Sequence, residues 1–341
     1  RTGEPGKMRF GPWMMHAFRL LAILKGLRGT AWDIFGRTEE RRMERALIGE
    51  YEAAVKTLLQ GLTRDNHALA LEIASLPELT TKIIRIVENP KSTARDLFDV
   101  IRCDPALSAR ILKVVNSAFY GLPGQIANID RAIVLLGLSA VKNIAVAASM
   151  THLFNGGSQI DGLSGVDLWK HSLTVGVACK LLTTAQGRPS VEESFLAGLI
   201  HDIGILIERQ VFGDKLGEVL NKQKETGSSF SQLEREIIGA DHAAFGMALA
   251  TKWRFPATLC TAIGYHHRPM DVAAANRELS VLVHVADVLA CQAGIGCTLT
   301  ATGESYDEEM LATLSLKAED IAEVTAKLPE QVAISESVFT E

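Results

Sequence analysis

Histidines and aspartates form an ordered series in this chain: His171, the adjacent pair His201 and Asp202, His242, the adjacent pair His266 and His267, and finally Asp287. Imidazole and carboxylate together suit a hard-to-borderline divalent transition metal. Iron is the expected ion, and manganese, zinc and nickel accept the same ligands. One or two ions fit the series. Asp202 can bridge two of them, which makes it the candidate catalytic group as well as a ligand. His171, His201 and Asp287 would complete the shell of the first ion. His242, with one or both of His266 and His267, would serve the second. Successive helical residues point about 100° apart. Both His266 and His267 can therefore ligate only where the helix frays, which Arg268-Pro269 favours. Five or six coordination positions would leave room for water or phosphate oxygens, and a metal-bound water is a nucleophile. Arg235, Arg254 and Arg268 are the candidate substrate-binding, phosphate-contacting residues. His284 lies three residues before Asp287 on the same helical face. It reads as a structural side chain, with outer-shell donor and alternative ligand as the other roles.

These groups need helices to position them. Apolar periodicity predicts helices over 167–186, 191–209, 214–226, 230–238, 241–253, 256–267 and 278–293. The His201-Asp202 pair sits late in the second of these, in the apolar run Ala197 to Gly204. Small residues there allow close helix packing, and a buried aspartate beside a buried histidine is costly unless paired or coordinated. Pro256 marks a helix start, and Gly294 sits just past a helix end.

Upstream, residues 72–160 are helical throughout. Ser92 and Thr93 cap a helix from Ala94. Asp104-Pro105 opens another, with Leu107, Ile111, Leu112 and Val115 on one stripe. Residues 120–124 form a turn, and 130–136 and 139–150 are apolar helices. Residues 8–70 read as a basic helical N-terminal extension, and Gly156, Gly157 and Gly162 mark a looser connection. After residue 296 comes a Thr/Gly-rich stretch. A last helix follows from Lys317, capped by Ser315, with Glu319 and Asp320 in its first turn. No apolar/polar alternation is long enough for a sheet. The expected fold is all-α, a multi-helix domain in four parts: an extension over 1–70, helical subdomains over 71–160 and 161–295, and a helical tail over 296–341.

Composition narrows the function classes. The 341 residues are 47% hydrophobic and 22% charged, as in ordinary globular proteins. A net charge of -5 and 6% aromatics argue against a nucleic-acid binder. Residues 94–117 have a loose helix-turn-helix look, with Arg110 and Lys113 on the later helix. Asp96, Asp99 and Asp104 crowd the same region and would repel phosphates. The five cysteines, Cys103, Cys179, Cys260, Cys291 and Cys297, form no CxxC pair. Their odd number fits free thiols in a reducing cytoplasm. No apolar run reaches the roughly 18 residues of a membrane span. The amphipathic stretch around Trp13 to Leu27 could lie on an anionic membrane surface. A helix packed on the body of the protein is the favoured reading.

The motifs carry a resemblance. Residues 164–293 resemble the HD superfamily of metal-dependent phosphohydrolases, through His171 in WKHSLTVG, His201-Asp202 in AGLIHDIG, His242 in GADHAAFG, His266-His267 in GYHHRP and Asp287 in VHVADVLA. Residues 76–146 are similar to the N-terminal half of the HDOD domain, the HD-related output domain of bacterial signalling proteins. The resemblance covers about residues 70–295. It implies an HDOD/HD-like helical domain in a cytoplasmic signal-transduction protein that couples an input to a signalling partner protein or a nucleotide-type ligand. A homodimer through the apolar block 97–150 fits the same picture. Two departures bear on activity. Hydrolytic relatives often carry lysine in His-Asp-x-Gly-Lys, where this chain has Ile205. The Gly-Tyr-Pro signature of cyclic-di-GMP phosphodiesterases is replaced after His267 by Arg268-Pro269-Met270-Asp271. The expected function is a regulatory output module that keeps its metals. The alternative is a metal-dependent phosphohydrolase acting on a nucleotide or cyclic dinucleotide.

Overall fold

The computed structural model describes residues 53–54, 56–57, 78–88, 91–118, 120–122, 124–150, 153–154, 160, 162–188 and 191–339. The expectations for residues 8–70 fall outside these, apart from 53–54 and 56–57, which are helical. The described residues are all-α; their one β feature is an isolated bridge between Ile160 and Leu163.

Polar side chains write many of the helix starts. Helix α1 (Glu78–Glu88) leads to α2 (Ala94–Ile101), where Thr93 and Asp96 form a reciprocal capping box. Asp104 caps α3 (Pro105–Val115), which has proline in its first turn. Asn128 caps α4 (Ile129–Leu136), and α5 (Leu138–Met150) follows directly. Ser164 caps α6 (Gly165–Ala185). Next come α7 (Val191–Ile200), α8 (Ile203–Val211), α9 (Gly213–Thr226) and α10 (Phe230–Ile237). Asp241 caps α11 (His242–Lys252), which is followed by α12 (Ala257–Tyr265) and α13 (Glu278–Ala293). Asp307 caps α14 (Glu308–Leu314), and α15 (Ala318–Phe339) is last.

Helix α6 is the axis of the fold. Leu168, Leu173, Val175, Val177 and Leu182 are all within 1% of complete burial, and they lie on every side of the helix. A helix apolar all round belongs in a core, and each fully buried leucine contributes about 1.5–3 kcal/mol. Helix α6 packs most extensively on α7, then on α15 and α13. The α6–α7 contact is close because Gly176 and Gly198 face each other. A Cβ on Gly198 would stand 2.7 Å from the Val175 carbonyl oxygen. One apolar core runs on from Ile83 in α1 to Phe339 in α15.

Two boundaries differ from the sequence-based expectation. The helix expected over 191–209 is two helices, with His201 and Asp202 in the turn between them. The His201 ring supplies the local reason: its Nδ1 donates to the Gly198 carbonyl at 2.7 Å and so satisfies an acceptor of the last turn of α7. Ser315 does not cap the last helix. It closes α14 in the left-handed conformation (φ 55°). Asp320 instead accepts from the Lys317 N–H at 2.8 Å, as a first-turn acid does.

Candidate metal centre

The break between α7 and α8 puts Asp202 at the meeting point of six helices. Helix α6 brings His171, the α7–α8 turn brings His201, and α11 starts with His242. The end of α12 delivers His266 and His267, and α13 delivers Asp287. Gly204 seats α8 on α11: a Cβ there would fall 1.9 Å from the His242 carbonyl oxygen, so only glycine permits the approach.

All seven residues of the sequence series come together. The two oxygens of Asp202 face two different groups. Oδ2 lies 3.2 Å from His201 Nε2 and 3.6 Å from His171 Nε2. Asp287 Oδ1 stands on the same side, 3.1 Å from His171 Nε2. Oδ1 of Asp202 lies 3.2 Å from His242 Nε2 and 3.5 Å from His266 Nε2. His267 completes that second group, its Nε2 2.8 Å from His242 Nε2. The frayed end of α12 is what allows both neighbouring imidazoles to face inward: the helix stops at Tyr265.

The histidine rings are held from behind. Nδ1 of His201 donates to the Gly198 carbonyl and Nδ1 of His266 to the Ile263 carbonyl, both at 2.7 Å. Each ring thus caps its own helix and turns Nε2 inward. His242 gives Nδ1–H to Glu234 at 2.7 Å, and His267 gives its own to Glu304 at 3.0 Å. With Nδ1 protonated, the neutral ring carries its lone pair on Nε2, the form that binds metals. His284 is committed to carbonyls, with Nδ1 2.7 Å from the oxygen of His266 and Nε2 3.0 Å from that of Ser305. It ties the end of α12 to the segment before α14. Thr300, in that same segment, stands 3.5 Å from His171 Nε2.

The donors fit a cation. His171, His201, His242, His266 and Asp287 are 0% exposed and Asp202 is 2% exposed. Both Asp202 oxygens, Asp287 Oδ2 and the Nε2 atoms of His201 and His266 nonetheless make no hydrogen bond. Buried carboxylate oxygens left like this are expensive unless a positive charge meets them. Four sets of these side chains bring ligand atoms close enough together to hold an ion: His171, His201 and Asp202; Asp202, His242, His266 and His267; His201, His266 and Asp287; His171, Asp287 and Cys291.

The charges of the site pull on one another. Burial opposes ionisation of Asp202, but His201 and His242 outweigh it and hold the carboxyl well below the usual range. Burial disfavours a charged His242, yet Glu234 and Asp202 push it well above the usual histidine value. His267 moves the other way, lowered by burial and then by its neighbours His266 and His242. Burial and Asp287 raise Glu304 to about 7. Behind His242, burial and then Glu234 push the Glu208 carboxyl far up.

Of the three arginines expected at the substrate, two have close partners of their own. Arg235 pairs with Asp241. Arg254 sits on an exposed bend with φ 62°. Arg268 lies over the Tyr265 ring at 4.9 Å, with Asp271 4.0 Å away. Sequence reasoning missed Glu234, Glu304 and Thr300. Glu234 had a signal: it shares the α10 stripe of Phe230, Leu233 and Ile237, where an apolar residue is expected. Glu304 and Thr300 had none, since they lie in a stretch without periodicity.

Comparison with known proteins identifies the family and the fold. The HDOD domain model matches residues 73–269, and a family of unknown function (DUF6537) matches residues 1–81. Curated relatives are uncharacterized proteins from Treponema pallidum (26% identical over 59% of this chain) and Bacillus subtilis (28% over 48%). The matches span only 39% and 37% of those relatives' own lengths. Three solved structures share the fold. An HDOD domain protein of unknown function from Geobacter sulfurreducens has a TM-score of 0.67 at 23% identity, covering 77% of this chain and 92% of its own. A candidate signal transduction protein from Marinobacter aquaeolei scores 0.68 at 23% identity, covering 86% and 67%. A candidate phosphohydrolase from Shewanella amazonensis scores 0.60 at 24%, covering 82% and 99%. The family match spans more than half of the 341 residues: the chain belongs to the HDOD family.

Proposed function

We propose that this HDOD protein is a bacterial signal-transduction output module whose His/Asp cluster holds one or two divalent transition-metal ions, and which acts by binding a partner protein or a nucleotide-type ligand. One observation carries the metal. His242 and His267 both commit Nδ1 to carboxylates, so their Nε2 atoms, 2.8 Å apart in a buried site, would repel as two lone pairs unless something positive stands between them. A shared cation or proton relieves that repulsion, and the free oxygens of Asp202 and Asp287 favour a metal. Imidazole with carboxylate keeps iron as the leading ion, ahead of manganese, zinc and nickel. Asp202, with an oxygen toward each group, suits a bridge between two ions.

The charge pattern favours binding over hydrolysis. The close charge partners of Asp202 are His171, His201, His242 and His266. Arg235 and Arg268 pair with other residues, and Ile205 stands where a phosphate-contacting lysine would be useful. Nucleic acid is a poor partner too: Arg110 donates to the Ala148 carbonyl, and Asp99 pairs with Arg95 and Arg102. Among the described residues no helix is long and apolar enough to cross a membrane. A cytoplasmic protein and a homodimer remain part of the proposal.

The second reading, a metal-dependent phosphohydrolase, is favoured by the completeness of the donor set. When bound, the metal would supply Lewis acidity and an activated water. Metal content by mass spectrometry, on protein purified without affinity metals, tests both beside Asp202→Ala. Near-stoichiometric metal in the parent and its loss in the variant are expected. A folded parent that stays empty with added metal would sink the centre. Turnover of a nucleotide panel that tracks metal occupancy would overturn the non-enzymatic reading.

A further inference from the structure

The side of Asp202 that faces His171 and Asp287 holds a further donor. Cys291 lies one turn beyond Asp287 on α13, so its Sγ comes within 3.7 Å of Asp287 Oδ1. That same oxygen is 3.1 Å from His171 Nε2. Donor atoms of His171, Asp287 and Cys291 all lie within 4.8 Å of one another. Around one tetrahedral ion, a nitrogen and an oxygen donor stand roughly 3.3 Å apart, and a sulfur and an oxygen donor roughly 3.6 Å. The observed spacings follow that pattern. Asp287 is 0% exposed, and its second oxygen makes no hydrogen bond. A cation is the partner such a carboxylate calls for.

We infer that Cys291 supplies a thiolate ligand, beside His171 and Asp287, to the metal on the Oδ2 side of Asp202. This rests on the metal-binding reading above and adds what that reading lacks, a soft donor. On binding, a metal–sulfur bond replaces the S–H bond and the thiol proton leaves to solvent. A thiolate shifts preference toward zinc or iron and away from manganese and magnesium. The two groups around Asp202 are then unequal: one is imidazole and carboxylate alone, the other has sulfur as well. Cys297 is buried near the same helix end but belongs to none of the clustered donor sets.

Cobalt(II) tests this on the full chain, with two separate readouts. Equilibrium dialysis counts bound cobalt. Near-ultraviolet absorption detects sulfur-to-cobalt charge transfer. The expected result is bound cobalt with a charge-transfer band that survives Cys297→Ser and disappears in Cys291→Ser. Affinity of the Cys291→Ser variant should fall on the order of tenfold or more for the sulfur-bearing ion. Bound cobalt with ligand-field bands and no charge-transfer band would overturn the sulfur ligand and leave the metal centre standing. A band that persists in Cys291→Ser would also overturn it. No bound cobalt at all would remove both readings. Circular dichroism on each variant separates these outcomes from loss of fold.

Discussion

The Glu234 carboxylate accepts from both the ring and the main chain of His242, at 2.7 Å from Nδ1 and 3.2 Å from the backbone N–H. One buried acid thereby sets the tautomer of the ring and the position of the first residue of α11. Acids behind ligating histidines typically hold metal affinity up by 10–100-fold. Glu234→Gln keeps the shape and removes the charge. Metal affinity of the variant, titrated calorimetrically, is expected to drop by about 10–100-fold. Equal affinity in parent and variant would show that the acid is packing alone.

Gly204→Ala probes the seat of α8 on α11. The new methyl would meet the His242 carbonyl oxygen at 1.9 Å and the Gly246 nitrogen at 2.7 Å, and backbone cannot rotate away as a side chain can. Overpacking costs about 1–3 kcal/mol, and a main-chain clash belongs at the upper end. Denaturant melts should show that loss, together with weakened metal binding because His242 moves. A variant as stable as the parent would mean that the two helices can slide apart without penalty.

Arg235→Ala and Arg268→Ala separate the two functional readings. Both side chains are partly exposed, at 51% and 38%, and engaged with Asp241 and Asp271. Metal content should stay at the parent level. Stability should change by no more than about 1 kcal/mol, as for surface ion pairs. A metal-dependent turnover that either variant abolished would return these arginines to the substrate.

Lys180 offers a pH test far from the metal. Its amine lies 4.5 Å from the centre of the Tyr120 ring, joining α6 to the turn after α3. Burial lowers it from 10.5 to about 8, against the pull of Glu192. Between those values the unfolded chain holds more protons than the native one, so stability rises with pH from about 8 to 10.5. The whole shift would be worth about 3 kcal/mol, and partial solvation reduces this to about 1–2 kcal/mol. Lys180→Met should flatten this rise in urea melts at pH 8 and pH 10. A parallel slope in the variant would assign it to other groups.

Much of the fold was legible because caps and apolar stripes are local. Thr93, Asp104-Pro105 and Gly294 mark element ends where the sequence places them. The break at His201 and Asp202 was not legible, since the apolar run continues through it. What stops α7 there is a ring bonding back to Gly198 and a glycine contact with another helix, neither visible in one dimension. The inward groups of the site could be picked out by residue type and order. Of the acids behind them, Glu234 showed only as a break in the apolar stripe of α10, and Glu304 not at all, since it lies in a stretch without periodicity. Arg235 and Arg268 show a related limit of one-dimensional reading: a cation near a motif in sequence can pair with its own local acid.

The segment from Gly296 to Ser305 has a practical consequence. The HDOD model match ends at residue 269, whereas Asp287, Cys291, Thr300 and Glu304 all come later. A boundary drawn from kinship alone would cut the nest in two. A piece trimmed there would keep six of the seven inward groups and lose the Glu304 latch on His267, Thr300 beside His171 and Asp287, the carboxylate opposite Asp202. Silence from such a fragment would describe an amputation. Verdicts on this molecule belong to the uncut chain.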